Sequence, residues 1–483
     1  LTDTAISFAD ACLDPNLFGD VFTGPTWANW RVIDKAIFGL PLDENELRVF
    51  HGLTGRTEAP EAQAEEVWLV IGRRGGKNVK SAALCTYLST IGVEAYGWRK
   101  KLVEGETGVV QLLAVDRDQA GIAFGYIRGF FRKPIFRKMV TRITSDSIEL
   151  NNGFAVEVTT ADQRRVRGRT VVAAVYDEVA FWRSENSTSP DIDVHRAVKP
   201  AMATMPGAMV IAISSPYARR GLLWKRYQKY YGKPGKVLVV QAPTWIMNPA
   251  ITRDGNLVSE AYADDPESAS AEFGAEFRSD LESLINIEAV QACVVDGVFE
   301  RPPERLHSYV AFTDPSGGSA DSMTLAIAHK EGDTAILDLI REIKPPFSPE
   351  AAVAEFAEVM KRYRISTVYG DRYGAEWVAE AFRKQSINYQ HSERVKSAIY
   401  LDMLPLLNSR GVDLLDDDRL TRQLTSLERR VGRGTGRDIV DHPKGMHDDV
   451  ANAVAGAVTL AALSSPSNPA TARAWKFKPR MVA

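Results

Sequence analysis

Cysteine is scarce in this sequence. Cys12, Cys85 and Cys293 are the only three in 483 residues, too few and too scattered for a disulfide framework or a Cys-rich zinc site. A reducing cytoplasm is the expected compartment. A basic excess is also lacking, since 59 Lys and Arg stand against 62 Asp and Glu for a net charge of -3. That excludes a chain-wide electrostatic footprint for nucleic acid, so any such contact has to be local. Long apolar runs are missing too: the most apolar helix-like stretch, Val450 to Leu463, is interrupted by Asn452 and Thr459 and is too short to cross a bilayer. No membrane segment is expected. The opening LTDTAISFADACLDPNLF carries acids and no basic region ahead of an apolar run, so it does not read as a secretory signal. No internal repeat is visible.

What is present is an ordinary globular composition, 45% hydrophobic and 25% charged, able to build sizeable cores. The length suits two or three domains, with two as the working number. From Val67 to about Pro243 the β-rich runs VWLVI, VVQLLAV, FAVEVTT, VVAAVYD, MVIAIS and VLVVQAP recur. Helix-like segments such as Ser81 to Ile91 and Gln119 to Phe131 separate most of them, which predicts an α/β domain with a mostly parallel sheet. Residues 1–55, with Trp27, Trp30 and Phe38, read as a helical lead-in to this domain at 56–247. Residues 248–305 carry no strong strand signal and read as a helical linker. The tail 465–483 is Pro-rich, basic and expected to be flexible.

Between them, residues 306–464 show a telling order of elements. YVAFTD, TLAIAHK and TAILDLI read as three consecutive antiparallel strands. A helix (Pro349 to Arg364), the strand STVYGD, a helix (Ala375 to Lys384), the short strand INYQH and further helices follow. That is the succession of the ribonuclease H fold.

Two clusters carry chemistry. Directly after VWLVI comes Gly72-Arg73-Arg74-Gly75-Gly76-Lys77-Asn78, then a helix-like segment. Strand, Gly-rich turn and helix form the context of a phosphate loop: backbone N–H groups approach the phosphates, the helix N-terminus favours the anion, and Lys77 would sit on the β and γ phosphates. The pattern departs from G-x-x-x-x-G-K-[ST], with Ile71 at the first glycine position and Asn78 in place of the magnesium-binding hydroxyl. About a hundred residues on, VVAAVYDEVAF puts two acids at the end of an apolar strand, where carboxylates are costly unless they hold a metal or polarise water. Asp177 is the candidate magnesium-side acid, and Glu178 the candidate general base for attack on the γ-phosphate, with the Lys77 loop expected on a neighbouring strand. MVIAIS ends in Ser214-Ser215, polar residues suited to sensing the γ-phosphate or to a plain turn. Arg164, Arg165, Arg167 and Arg169 crowd the loop before VVAAVYD. Arg167 stands for them as the candidate arginine finger, with Arg73 and Arg74 as rivals.

The second cluster lies in the second domain. Asp314 ends the first strand in FTDPSGG, Asp371 ends the fourth in VYGDRYG, and Asp448-Asp449 open the last helix, HDDVANAVAGAV. If Val450, Val454, Ala457 and Val458 pack on the sheet, the helix start meets the two strand ends. Carboxylates alone, with no Cys or His ligand set, suit hard Mg2+ or Mn2+. Two such ions can activate a water and stabilise the leaving oxygen in phosphodiester cleavage. Each acid is also an ordinary cap or turn residue on its own. Asp321 reads as a loop residue more than as an auxiliary acid, and His447 reads as a structural neighbour.

Taken in order, RRGGKN, VVAAVYDEVAF, AISSP, FTDPSGG, VYGDRYG and HDDVANAVAGAV resemble the large terminase subunit of tailed phages over roughly Thr23 to Leu463. The resemblance implies an N-terminal packaging ATPase of the P-loop, RecA-like, additional-strand (ASCE) type and a C-terminal ribonuclease H-like nuclease. It implies ATP with Mg2+ held by Arg73, Arg74, Gly75, Gly76, Lys77, Asn78 and Asp177. It further implies a catalytic Glu178, a coupling motif at Ser214 and Ser215, and Mg2+ or Mn2+ on Asp314, Asp371 and one or both of Asp448 and Asp449. Implied partners are double-stranded DNA, a small terminase subunit, the portal of the procapsid and a ring of subunits, as a pentamer, in the host cytoplasm. Asn78 departs from the family pattern, and no adenine-contacting glutamine is evident near Trp27 to Trp30. Rival readings are a helicase-nuclease or repair ATPase, which would carry further helicase motifs between the halves, and a DNA-binding adaptor with a vestigial nucleotide loop. Basic stretches such as RRVRGR and LERRVGRGTGR are candidate DNA-gripping surfaces.

Overall fold

A computed structural model of the chain describes residues 6–162, 168–182, 190–319, 321–371, 375–430, 438–443 and 446–464, without the side chains of residues 282, 375 and 376. It divides into two compact units, Leu1–Ser279 and Asp280–Ala483.

The first unit is built on eight strands: β1 (Glu66–Ile71), β2 (Gly108–Ala114), β3 (Val140–Ile143), β4 (Ser147–Leu150), β5 (Phe154–Thr160), β6 (Thr170–Asp177), β7 (Met209–Ser214) and β8 (Val237–Ala242). Their order in the sheet is β3-β4-β5-β2-β6-β7-β1-β8. From β5 to β8 every pairing is parallel, and β3 and β4 extend the edge antiparallel. Strands β1, β2 and β7 are buried along their whole length, as expected of parallel strands covered by helices on both faces. On one face lie the helices Lys77–Ser89 and Arg117–Phe130 together with the lead-in; on the other lie Pro190–Met202 and Gly221–Tyr230.

The lead-in is part of this core. Its helix Ala28–Ile37 buries Trp30, Ile33 and Ile37. Its helix Glu44–Thr54 starts at an Asp43/Glu46 capping box and stops at Gly55 in the left-handed conformation, start and stop signals that local sequence supplies. Lys80 of the helix Lys77–Ser89 and Asp34 of the lead-in form a fully buried ion pair at 2.6 Å. The Lys80 ammonium also lies 4.3 Å from the centre of the Phe22 ring. A buried pair of this kind adds little net stability while intact, but losing one partner strands a charge, so it fixes where the lead-in meets the helix that follows the Gly-rich turn.

The 248–305 stretch does not form one linker. Its helices Asn256–Asp264 and Pro266–Glu272 belong to the first unit. There the Thr244 amide donates to Phe273 O at 2.8 Å and the Gln241 side chain donates to Ala275 O at 2.7 Å. From Leu281 onward the chain belongs to the second unit, where Val295 N donates to Leu414 O at 3.0 Å. The reason is that apolar residues such as Val258, Ala269 and Phe273 form a small core of their own, which the low strand signal concealed.

The second unit contains β9 (Leu281–Ser283), β10 (Tyr309–Asp314), β11 (Met323–Glu331), β12 (Thr334–Ile343), β13 (Thr367–Gly370), β14 (Asn388–His391), β15 (Val412–Asp413), β16 (Glu428–Arg430) and β17 (Ile439–Asp441). The main sheet runs β14-β13-β10-β11-β12-β15, and β17-β16-β9 form a small separate sheet. Strands β10, β11 and β12 are antiparallel, and β13 and β14 add parallel beside β10, which is the ribonuclease H arrangement. One face is covered by the helices Lys396–Asn408 and Asp449–Leu463, the other by Pro349–Arg362 and Ala375–Lys384. Val450, Val454, Ala457 and Val458 are all buried, as their spacing predicts. At Gly456 an added Cβ would stand 2.3 Å from the Phe312 ring. Gly456→Ala is therefore expected to destabilise this unit by about 1–3 kcal/mol through overpacking, read as a lower urea midpoint in chemical denaturation. No helix among the described residues is long and apolar enough to cross a membrane.

Candidate active sites

In the first unit the Gly-rich turn joins β1 to the helix Lys77–Ser89. Gly76 has φ +90°, and a Cβ there would lie 2.8 Å from the Trp27 ring, so only glycine fits between the turn and the lead-in. The Trp30 indole N–H donates to Gly75 O at 2.8 Å. Thr244 Oγ1 donates to Arg73 O at 2.7 Å, and Asn248 Nδ2 donates to Arg74 O at 3.1 Å. Two segments distant in sequence, the lead-in and residues 244–248, thus fix the backbone of one turn.

Lys77 is the first residue of the helix and is buried. Its Nζ donates to Ser215 Oγ at 2.6 Å and to Ile71 O at 3.1 Å, and pairs with Glu178 Oε1 at 3.1 Å. Glu178 Oε2 accepts from Ser215 N at 2.9 Å and from Ser214 Oγ at 3.1 Å. Glu178 itself sits at φ +49°, a strained conformation for a residue with a side chain and one that favours functional positions. The Lys77 turn and the Asp177-Glu178 acids are not on adjacent strands. Strand β7 lies between β1 and β6, with Val70 opposite Ser214 and Ile213 opposite Asp177. That intervening strand is why Ser215 touches both Lys77 and Glu178 and Ser214 touches Glu178.

Asp177 is buried, and burial pushes its carboxyl up to about 7, with the Glu178 charge adding and Lys77 opposing. Its Oδ1 is buried without a hydrogen-bond partner, an arrangement that a bound cation would satisfy. Asn78 is half-buried at the second helical position. Arg73 pairs with Glu272 at 2.7 Å on the surface, and Arg74 is exposed with φ +64°. Arg164, Arg165 and Arg167 lie outside the described residues. Arg169 pairs with Glu157 at 3.2 Å.

In the second unit Thr313 pairs with Gly370 across parallel β10 and β13, which brings Asp314 and Asp371 to the same sheet edge. The packed helix Asp449–Leu463 delivers Asp448 and Asp449 there. All four acids line one cleft of about 180 Å³, together with Asp321, His447, Lys396 and Asn452. Burial raises the Asp314 carboxyl well above its ordinary range, and the charges of Asp371, Asp449 and Asp448 add to it. Burial also pushes Asp449 up to about 6, with His447 opposing and Asp448 and Asp321 adding. Like-charged carboxyls held this close resist ionising together unless a cation joins them.

The two neighbouring aspartates differ. Asp448 accepts from Lys396 Nζ at 2.9 Å and from Tyr400 OH at 2.7 Å, whereas Asp449 Oδ2 is buried with no hydrogen-bond partner. Asp449 therefore offers the open oxygen, and Asp448 is engaged by its own chain. His447 Nδ1 stands 3.1 Å from Asp321 Oδ1. Lys396, Tyr400 and Asn452 were not singled out from sequence. For Asn452 a signal existed: it is a buried polar residue in an otherwise apolar helix, one turn after Asp448.

Both sites are expected to link metal to pH. The folded-state values of Asp177 and Asp449, about 7 and about 6, lie above the ~3.9 of an unfolded aspartate. The folded chain then holds the extra protons, so the stability these groups contribute is present below about pH 4 and is lost as pH rises through 6 to 7. Magnesium takes only the ionised carboxylates. The increase in melting temperature with millimolar Mg2+ is expected to be larger at pH 8 than at pH 5. Equal increments would show that neither carboxyl takes the ion.

The family described as "Uncharacterized protein MJ0330, N-terminal P-loop domain" matches residues 43–275. No curated protein matches the chain. Among solved structures, the chain is similar to the large terminase of bacteriophage HK97, at 16% identity and a TM-score of 0.38 over 90% of this chain and 99% of that one. It is also similar to the large terminase of a thermophilic bacteriophage, at 12% identity and a TM-score of 0.35 over 87% and 99%. A third likeness is to the large terminase nuclease of the thermophilic phage G20c, at 17% identity and a TM-score of 0.32 over 36% and 97%. The first unit is a P-loop domain by its strand order and by the family match over residues 43–275, and large terminases of phages are among the solved structures to which the chain is similar.

Proposed function

We propose that this chain is the large subunit of a phage terminase, which hydrolyses ATP in its first unit to drive double-stranded DNA into a procapsid and cuts concatemeric DNA in its second. The observation that carries the reading is the presence in one chain of two separate acidic centres of different chemistry. One couples Lys77 to Glu178 at 3.1 Å beside buried Asp177, and the other gathers Asp314, Asp371, Asp448 and Asp449 into one cleft.

In the first centre, magnesium bound with ATP would lie against Asp177 and neutralise phosphate charge. Lys77 binds the β and γ phosphates from the helix N-terminus. Glu178 orients the attacking water and accepts its proton. Ser214 and Ser215, hydrogen-bonded to Glu178, register whether Glu178 faces Lys77 or the phosphate, which suits them to coupling hydrolysis to movement. Arg167 is the candidate for charge stabilisation in its own subunit or a neighbour's.

In the second centre, Asp314, Asp371 and Asp449 would hold one or two Mg2+ or Mn2+ ions, which when bound supply an activated water and stabilise the leaving oxygen. Lys396 and Tyr400 hold Asp448 and with it the start of the helix that presents Asp449. A small terminase subunit, the portal, a pentameric ring and the host cytoplasm belong to the same proposal. The test is to incubate the full chain with procapsids, linear DNA and ATP. Nuclease-protected DNA that depends on ATP is expected, and ATP turnover with no protected DNA in the presence of the portal would overturn the packaging role.

A further inference from the structure

At the far end of β10 and β11 from the acidic cleft, two histidines and two carboxylates converge. Tyr309 pairs with His329 at that end, whereas Asp314 pairs with Thr324 at the other, a separation of five residues or about 17 Å along a strand. His307 precedes β10, and His329 and Glu331 end β11. One ligand atom from each of these three lies within 4.8 Å of the others. Glu331 Oε1 stands 3.4 Å from His307 Nε2 and 3.4 Å from His329 Nε2, and Glu304 Oε2 stands 3.3 Å from His307 Nε2. Ligands about 2.0–2.2 Å from a tetrahedral ion are separated by roughly 3.3–3.5 Å.

The other nitrogen of His329 is also provided for. His329 Nδ1 lies 2.7 Å from Asp338 Oδ2, and Asp338 is 1% exposed. Asp338 is the extra residue at the β-bulge between β11 and β12, where Ile327 faces Leu339 and Ala328 faces Leu337. A bulge of this kind re-aims a side chain. A buried carboxylate on the back of a histidine fixes its tautomer and turns Nε2 outward as a metal donor.

We infer that His307, His329 and Glu331, with Glu304 as a fourth donor, form a binding site for a zinc-class divalent ion that pins the segment before β10 to the end of β11, separate from the acidic cleft. Imidazole with carboxylate suits such ions, while the clustered aspartates of the cleft suit magnesium. The test uses the full chain, stripped with a chelator and titrated with Co2+, followed by its visible ligand-field bands. Asp371→Asn serves as the background that weakens the acidic cleft. One equivalent of cobalt with intense four- or five-coordinate bands, displaced by Zn2+, is expected in wild type and in that background. His307→Ala and the exposed Glu331→Gln are each expected to weaken binding at least tenfold while circular dichroism stays native, which guards against a variant that merely unfolds. No intense bands in wild type, or cobalt binding unchanged in both variants, would overturn the site and leave an ordinary His–carboxylate ion-pair network. Neither result depends on whether the chain cuts DNA.

Discussion

Lys77→Ala is expected to lower ATP turnover at least about 100-fold, the scale set by removing one preorganised group that stabilises transition-state charge, and to leave metal-dependent plasmid cleavage within about twofold. The structure supplies the reason for so large an effect. Lys77 is the cation buried against Glu178, and its Nζ also donates to Ser215 Oγ. Its loss would remove the proposed phosphate contact and leave the Glu178 carboxylate without its counter-charge. The measurement is phosphate release with DNA and magnesium present. Turnover near wild type in Lys77→Ala would mean that the Gly-rich turn is a structural feature and that ATP, if used, is bound elsewhere. Loss of cutting in the same variant, in clean folded protein, would mean that the two units are not independent engines.

The second large effect is expected from Asp314→Ala. It should reduce plasmid cleavage with Mg2+ or Mn2+ at least about 100-fold, because losing a proposed metal ligand would remove several kcal/mol of metal-supplied stabilisation and each 1.36 kcal/mol is tenfold in rate. ATP hydrolysis in the same samples should be unchanged. Asp314 is the carboxyl on which the charges of Asp371, Asp449 and Asp448 all bear, so it sits among the other acids of the cleft. A substitution there relieves repulsion, and the protein is expected to be no less stable without metal while losing its metal response. Cutting that survives Asp314→Ala would displace the nuclease from this cleft, even if ATP turnover stood.

Much of this was legible in the sequence because it is written in local patterns. Strand runs with turn residues after them place Asp177 and Ser214 at strand ends and Lys77 on the turn that follows β1. The periodicity of Val450, Val454, Ala457 and Val458 carried the last helix onto its sheet. The succession of three antiparallel strands followed by helix and strand named the second fold. Other features have no local signature. That 248–279 and 280–305 belong to different units depends on which core each segment meets. Lys396 and Tyr400 lie about fifty residues before Asp448, and nothing in their own neighbourhood marks them as its partners.

By itself the sequence determined which residues could do chemistry and in what order, since residue type, turn chemistry and periodicity are properties of short stretches. Only the tertiary structure decided how they meet. Strand order put β7 between β1 and β6, so Ser215 bridges Lys77 and Glu178. Packing distinguished Asp449, with an open oxygen, from Asp448, which Lys396 and Tyr400 hold. The bulge at Asp338 set a carboxylate behind His329. Each depends on pairing between distant segments, and a sheet register or a helix docking is fixed by the burial of whole faces, which no short stretch of sequence encodes.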